Sequence, residues 1–417
     1  MKIAVNHLPV LTWNQNKLNN AEMEVSDGLL SSGIAKASAV HPLKYNLPEG
    51  ISRQDGVSAE KLQEIFEQLG IRNPKEAVVA GKFPMYNRQR FGTGMGKGID
   101  DLLKDYPAQI FTVESGCRSD RTVKLHYSLA AGKEALGRIF IHAKAGSEST
   151  FLLYYSALPE ECEYLDECGK CEIQQELREQ KLSKSEEGSA TDGRGFVGAQ
   201  TYLYLEKGAK VHFSAVQMLQ EEAVFFHDIG TFLAEESELT MAKLDLGAGT
   251  VYEGLNTLQA GDESRFDMDF GFLGLPGSFM DINYNDVFLG KKAEGRMYFK
   301  EALMKGAEKS FRGTVDFRQY STGSKGDEQE DIILLGEDII NKTIPLILCE
   351  EEDVDGRHAA TIGSLAEDML FYMQSRGISK KKAEEMVVRA TLQHISGMIP
   401  SESVKKAVKN YICRIFE

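Results

Sequence analysis

No apolar run in the 417-residue sequence approaches the ~20 residues needed to cross a bilayer. The N-terminus, MKIAVNHLPVLTW, interrupts its first apolar run at Asn6 and His7, too early for a secretory h-region. Positive charge is in deficit. The 48 Lys and Arg stand against 63 Asp and Glu, a net charge of −15, so phosphates meet repulsion over most of the surface and a general nucleic-acid or anionic-membrane binder is not expected. Cysteine is also sparse: six over this length do not make a disulfide framework, and the expected location is a reducing cytoplasm. The single tryptophan, Trp13, reads as a packing anchor. Only eight histidines are available for chemistry, so the surroundings of each decide its reading.

What is present fits a folded protein, with 42% hydrophobic and 27% charged residues. The length exceeds the ~250–300 residues at which single compact cores stop growing, which requires several domains or an elongated, repetitive architecture. Three regions follow. Residues 1–105 read as helical and irregular. SAEKLQEIFEQLG offers Ser58 as N-cap, Leu62, Ile65, Phe66 and Leu69 on one face, and Gly70 as a stop. NPKE at 73–76 is a second helix start. Residues 106–355 read as short strands such as RIFIHA, TFLLYY, TYLYLE, KVHFSAV, RFDMDFGF and GTVDF. The turn pentads EKGAK, AEESE, AGDES and MKGAE recur among them at loose intervals, which points to stacked coils of a β-solenoid with a β-sandwich as the alternative. A charged stretch at 160–195 suits an exposed excursion. Residues 356–417 read as helical. A capping box of Ser364 and Glu367 opens a first helix that Gly377 ends. Ser379 opens a second, with Ala383, Met386, Val387 and Ala390 at helical spacing. Pro400 and Ser401 open a third, with Val404, Val408, Tyr411, Ile412 and Ile415 on one face.

Several motifs invite chemistry and fall short in detail. FGTGMGKGID at 91–100 lacks the hydroxyl that a phosphate loop needs after its lysine, because Gly98 follows Gly96-Lys97, and Phe91 stands where the first glycine belongs. It reads as a connector into a helix near Asp100, and the chain has no nucleotide-hydrolysis motif of its own. Cys162, Cys168 and Cys171 make C-x5-C-x2-C, whose last pair alone resembles half a zinc site, and no histidine or fourth cysteine lies nearby. His227-Asp228 lies within an apparent strand, which favours a hydrogen-bonded structural histidine. The acids of RFDMDF and FMDINYND, with Asp267 and Asp281 among them, would serve a polysaccharide-cleaving β-helix; strand alternation more simply makes Asp267 and Asp269 outward positions.

The end of the β region differs. EDIILLG (330–336) and KTIPLILC (342–349) are apolar at successive positions, which implies burial on both faces and suggests a subunit interface at this edge. The lone His358 of DVDGRHAATIG follows, with acids at 327, 328, 330, 331 and 350–353. A histidine, carboxylates and Cys349 gathered at a two-fold seam would make an iron site; without the seam, His358 is a helix-entry residue.

The ordered set GDEQEDIILLG, NKTIP, HAATIG (358–363) and LFYMQSRGIS (370–379) resembles the SufB/SufD family of iron–sulfur cluster assembly proteins over about a hundred C-terminal residues, with the LPVLTWN opening fitting more loosely. The resemblance implies a mainly β fold, a right-handed parallel β-helix flanked by N- and C-terminal α-helical domains. It also implies pairing through the last coils and docking of the ABC-type ATPase SufC on the C-terminal helical domain. Phe371, Tyr372, Arg376 and Gly377 then lie in the SufC-docking segment. The implied role is that of an assembly scaffold, not an enzyme, on which a transient Fe–S cluster forms; ATP turnover belongs to SufC, and a flavin enters as a cofactor by family analogy alone. The histidine matches His358. SufB carries Cys where this chain has Glu330 and Glu where it has Ala359, and many SufD chains carry Cys where it has Gly356; the small residue after His358 is SufD-like. The candidate cluster or iron ligands are therefore His358, Cys349 and Glu330. The partner is either a SufB-type subunit or a second copy. A purely structural partner subunit and, more remotely, a polysaccharide lyase or hydrolase remain as alternatives.

Overall fold

The computed structural model describes residues 1–9, 18–25, 41–42, 47–69, 92–128, 134–156 and 195–417. Trp13, the NPKE helix start, Gly70, Cys162, Cys168, Cys171 and nearly all of the 160–195 excursion lie outside them. Near the N-terminus, β1 (Lys2–Val5) and β2 (Ala21–Glu24) form an antiparallel ribbon, followed by β3 (His41–Pro42), β4 (Ile51–Val57), α1 (Ala59–Gln68) and α2 (Lys97–Leu103). The described part of this region is thus as much strand as helix, a correction to the helical reading. Ser58 caps α1, its Oγ accepting from Lys61 N at 3.3 Å, and Leu62 and Phe66 are buried.

The body is a parallel β-solenoid of about seven turns. One nine-stranded sheet runs from β3 through β6 (Arg118–Ser128), β8 (Glu148–Ser156), β10 (Lys210–Met218), β12 (Glu238–Asp245), β14 (Arg265–Gly274), β16 (Glu294–Met304) and β18 (Lys325–Leu335) to β20 (Asp355–Ser364). The other runs from β4 through β5 (Ala108–Val113), β7 (Glu134–Ala143), β9 (Phe196–Leu205), β11 (Val224–Leu233), β13 (Thr250–Gln259), β15 (Phe279–Phe288) and β17 (Glu308–Phe317) to β19 (Ile340–Cys349). Neighbours are parallel and in register, except that β6 shifts register against β8 between Arg118 and Thr122 and that β3 and β4 pair antiparallel at the N-terminal end. The recurring pentads are the corners. Gly208, Glu236 and Glu263 sit at positive φ at one corner of successive coils. Their N–H groups donate to the next coil's carbonyls at Glu235, Asp262 and Lys291, which stacks the turns.

Alternate residues face inward, and the interior is rich in aromatic rings such as Phe270, Phe299, Phe311 and Phe317. Each ring removed from water contributes roughly 1.5–3 kcal/mol. The outer faces are covered as well. On the first sheet, Leu152, Tyr154, Val216, Leu244 and Leu273 pack under α4 (Lys380–Met398) and α5 (Glu402–Ile415). On the second, the N-terminal ribbon, α1 and α2 cover Phe140, Tyr202, Phe226 and Tyr252. Burial on both faces is why these strands do not alternate in hydrophobicity.

The C-terminal reading needs three corrections. Strand β20 extends to Ser364, so His358 lies on a strand and not at a helix entry, and the solenoid runs past residue 355. Helix α3 (Glu367–Ser375) starts after Ala366 with no side-chain cap, so Ser364 and Glu367 form no capping box. The buried face of α4 is Ala383, Val388, Leu392 and Ile395, while Met386 and Ala390 face solvent. The helix is rotated to seat Leu392 and Ile395 over Gly271. Ser379 and Ser401 do cap α4 and α5, and Val404, Val408 and Ile412 are buried as the spacing predicts. Among the described residues, no helix is long and apolar enough to cross a membrane.

Candidate functional site at the open end of the solenoid

β19 and β20 are the last strands of their sheets, each paired on one side only among the described residues. Their inward positions follow from register. Gly356, His358, Ala360 and Ile362 lie beside Gly326, Glu328, Glu330 and Ile332 of β18, and Cys349 lies beside Phe317 of β17. Since Ile332 and Phe317 belong to the interior core, His358 and Cys349 stand on inward-facing rows that no further coil covers among the described residues. Every residue from Gly356 to Ser364 is exposed, and Ile340, Ile347 and Ile362 are among the exposed large apolar side chains.

The two apolar runs divide between two causes. In EDIILLG, Ile332 and Leu334 face the interior, while Ile333 and Leu335 pack with the chain's own C-terminal helices. No second subunit is needed to explain that run. In KTIPLILC only Ile344 is buried, and Ile347 is exposed.

Glu330 points into the interior, where it accepts from Lys309 Nζ and from Thr343 Oγ1 at 3.2 Å; Lys309 also contacts Glu301 Oε2 at 2.6 Å. Its Oε1 is thus engaged by an interior ammonium and by a hydroxyl of β19, the last strand of its sheet. Glu328, two residues earlier, is the carboxyl beside His358 in register, a residue that the sequence reading counted among the surrounding acids but left out of the ligand set. It is buried, its Oε2 has no partner, and it lies against Gly313, where a Cβ would come within 2.4 Å of it. Burial, reinforced by the charge of Glu330, pushes its pKa up to about 8. Strand parity could have found it, because an inward Ile332 puts residue 328 on the core side.

Cys349 lines a cavity of about 610 Å³ with Phe317, Ile347, Glu350, Glu351, Glu352, Val354 and Gly356, and its thiol donates to Glu351 O at 2.8 Å. His358 is not part of that lining. Among the described residues, no three His, Cys, Asp or Glu side chains come close enough together to hold a metal ion. The open end therefore presents separate donors on two strands.

The segment that the resemblance assigns to SufC docking is well exposed. Helix α3 buries no side chain, Phe371 is 73% and Tyr372 56% exposed, Arg376 lies over the Tyr372 ring at 5.2 Å, and Gly377 closes the helix at φ 84°. The acids considered for polysaccharide cleavage are engaged: Asp281 is buried and accepts from Asn6 Nδ2 (2.7 Å) and Arg312 Nη1 (2.8 Å), and Arg296 holds both Asp267 and Asp269. A flavin ring wants an apolar slot. The outer groove of about 540 Å³ along β12–β20 is lined mostly by charges, including Arg265, Glu294, Arg296, Lys325 and Asp327, and does not fit one.

A family model described as SUF system FeS cluster assembly, SufBD core domain, matches residues 177–391, just over half of the sequence. The chain belongs to the SufBD family. It is 30% identical over 129 residues to iron-sulfur cluster assembly protein SufD of Bacillus subtilis (strain 168), covering 31% of this chain and 29% of that protein. SufBD family proteins of Staphylococcus haemolyticus (strain JCSC1435) and Staphylococcus aureus (strain USA300) are each 22% identical over 201 residues, covering 48% of this chain and 43% of theirs. The aligned stretches thus span less than half the length of these relatives. In this SufBD chain the family match takes in the later coils, the open end and α3, the parts that carry His358, Cys349, Phe371 and Tyr372.

Proposed function

We propose that this SufBD chain is a non-catalytic scaffold subunit on which an Fe–S cluster is assembled, pairing through the open end of its solenoid and docking a SufC-type ATPase on α3. The observation that carries the reading is the bare last coil. Two edge strands with unpaired backbone groups and exposed Ile340, Ile347 and Ile362 form a surface that soluble proteins ordinarily cover. A second subunit laid on this end, either a SufB-type chain or another copy, would add donors to His358 and Cys349 and complete an iron site that the described residues of one chain do not hold. SufC supplies ATP turnover. The nearest thing to a phosphate loop here, residues 92–98, lies against the second sheet, with Met95 N donating to Asp228 Oδ1 at 2.7 Å. The expected setting is the cytoplasm.

Anaerobic reconstitution with SufC and a SufB-type chain tests this. His358→Ala is expected to lower iron bound per complex, and unchanged loading would remove His358 from the ligand set. A second reading, a structural subunit that only completes the pair and recruits SufC, draws on the engagement of Glu330 with Lys309. It expects His358→Ala to be silent while Tyr372→Ala or Arg376→Ala abolishes SufC binding.

A further inference from the structure

One buried carboxyl oxygen next to His358 lacks a partner. Glu328 is 2% exposed, and its Oε2 accepts no hydrogen bond. Such an orphan is costly, so the groups able to donate to it matter. On the coil below, the residue in register is Met297, an apolar member of the core. Across the interior stands Gly313, where a Cβ would come within 2.4 Å of Glu328 Oε1; the glycine leaves the carboxyl its room and offers it no donor. Lys309 is already shared by Glu301 and Glu330. On the coil above, about 4.8 Å away across the sheet, the residue in register is His358.

The other acids of this end are occupied. Glu330 is in register with Ala360 and is held by Lys309 and Thr343. Asp331 accepts from the Tyr298 hydroxyl at 2.8 Å and from Lys300. Asp355 is paired with Arg357, and Glu350 with Arg318 at 2.7 Å. A histidine that binds a metal through one ring nitrogen ordinarily donates the other ring N–H to a carboxylate, which fixes its tautomer and aims the ring. The exposed imidazole of His358 can turn between rotamers, and Glu328 is the acceptor beside it. A carboxyl buried one coil below the open face is poorly placed to meet a metal there itself and well placed to hold the residue that does. A donated N–H also stabilises the ionised carboxyl, against the burial that raises it.

Resting on the reading of His358 as an iron ligand, we propose that Glu328 is its positioning residue: Glu328 Oε2 accepts one ring N–H of His358 and leaves the second ring nitrogen turned toward the open end. Proton NMR of the full chain with nitrogen-15-labelled histidine tests the bond without metal or partner. An exposed imidazole N–H exchanges with water too fast to be seen, whereas one held by a carboxylate gives a persistent downfield resonance, assigned by its loss in His358→Asn. That resonance is expected in the wild type, lost in Glu328→Ala, and kept but shifted upfield in Glu328→Gln, whose amide oxygen is the weaker acceptor. Gly313→Ala retains both partners but drives the carboxyl aside, and is expected to lose the resonance too. In the complex reconstituted with SufC and a SufB-type chain, Glu328→Ala is expected to weaken iron binding roughly 10–100-fold, with Glu328→Gln recovering most of it. A resonance absent from the wild type, or one that survives Glu328→Ala, overturns the pairing even where His358→Ala still lowers iron loading. A resonance that depends on Glu328 while His358→Ala leaves loading unchanged upholds the pairing and overturns the ligand role of His358 instead.

Discussion

Lys309 shows what a single interior residue can be worth. It is fully buried between Glu301 and Glu330, and the rings of Phe272 and Phe311 flank its ammonium. Lys309→Met is expected to destabilise the chain by ~3–5 kcal/mol in denaturant titrations, because it strands buried carboxylates. Lys300→Met, whose pair with Asp331 is about a quarter exposed, should cost ~1 kcal/mol or less. Buried acids also set the pH dependence. Asp228, Asp286 and Glu328 are each pushed up to about 8, in every case mainly by burial. A raised carboxyl pKa means that the folded state binds the proton more tightly. Stability is therefore fully present below the ordinary carboxylate range and falls as pH rises toward about 8, by roughly 1.4 kcal/mol per pH unit for each such group. Asp286→Asn is expected to flatten the stability-versus-pH slope by one proton, and an unchanged slope would show that Asp286 is ionised in the fold. Little of this was legible beforehand. Composition shows acids in excess but not which face of a strand they take, and the pair of Glu330 with Lys309 joins residues a coil apart in sequence.

At the scale of elements, local chemistry was legible wherever it was self-contained. Ser58, Ser379 and Ser401 are caps because a hydroxyl three residues before a backbone N–H needs nothing else. The corner pentads were readable for the same reason. FGTGMGKGID was readable as the lead-in to a helix, but its packing was not, because its glycines answer to a surface distant in sequence: a Cβ on Gly94 would lie 2.1 Å from Leu255 N, and one on Gly254 would lie 2.5 Å from Met95 N. The segment lies directly on the sheet, held by Asn283 Nδ2 donating to Gly94 O at 3.1 Å. Gly94→Ala is expected to lift it, with hydrogen exchange at Met95 accelerating at least tenfold while the amides of β13 keep their protection. Helix α3 invites the opposite expectation. Phe371→Ala touches no core, so it should leave stability within ~0.5 kcal/mol and show its effect only in SufC binding.

For the whole molecule, the two ends of the solenoid are unlike. The N-terminal end is closed by β3 and β4 turning antiparallel across the first coils, whereas the C-terminal end stops at β19 and β20, with no strand beyond among the described residues. The sequence pointed to that end by its two apolar runs, but half of the signal belonged to the chain's own helices over Ile333 and Leu335. The half that survives is Ile347 on β19, together with Ile340 and Ile362. If this end pairs two copies of the chain, apolar contact must overcome repulsion between two bodies of charge −15, and salt that screens the repulsion strengthens the pair. Light scattering is then expected to show the dimer fraction rising from low to moderate ionic strength. Ile347→Lys with Ile362→Lys should leave a folded monomer, since both side chains are already exposed within one chain. A mass that falls with added salt would point instead to an interface held by ion pairs, and a dimer that persists in the double variant would place the pairing surface away from the last coil.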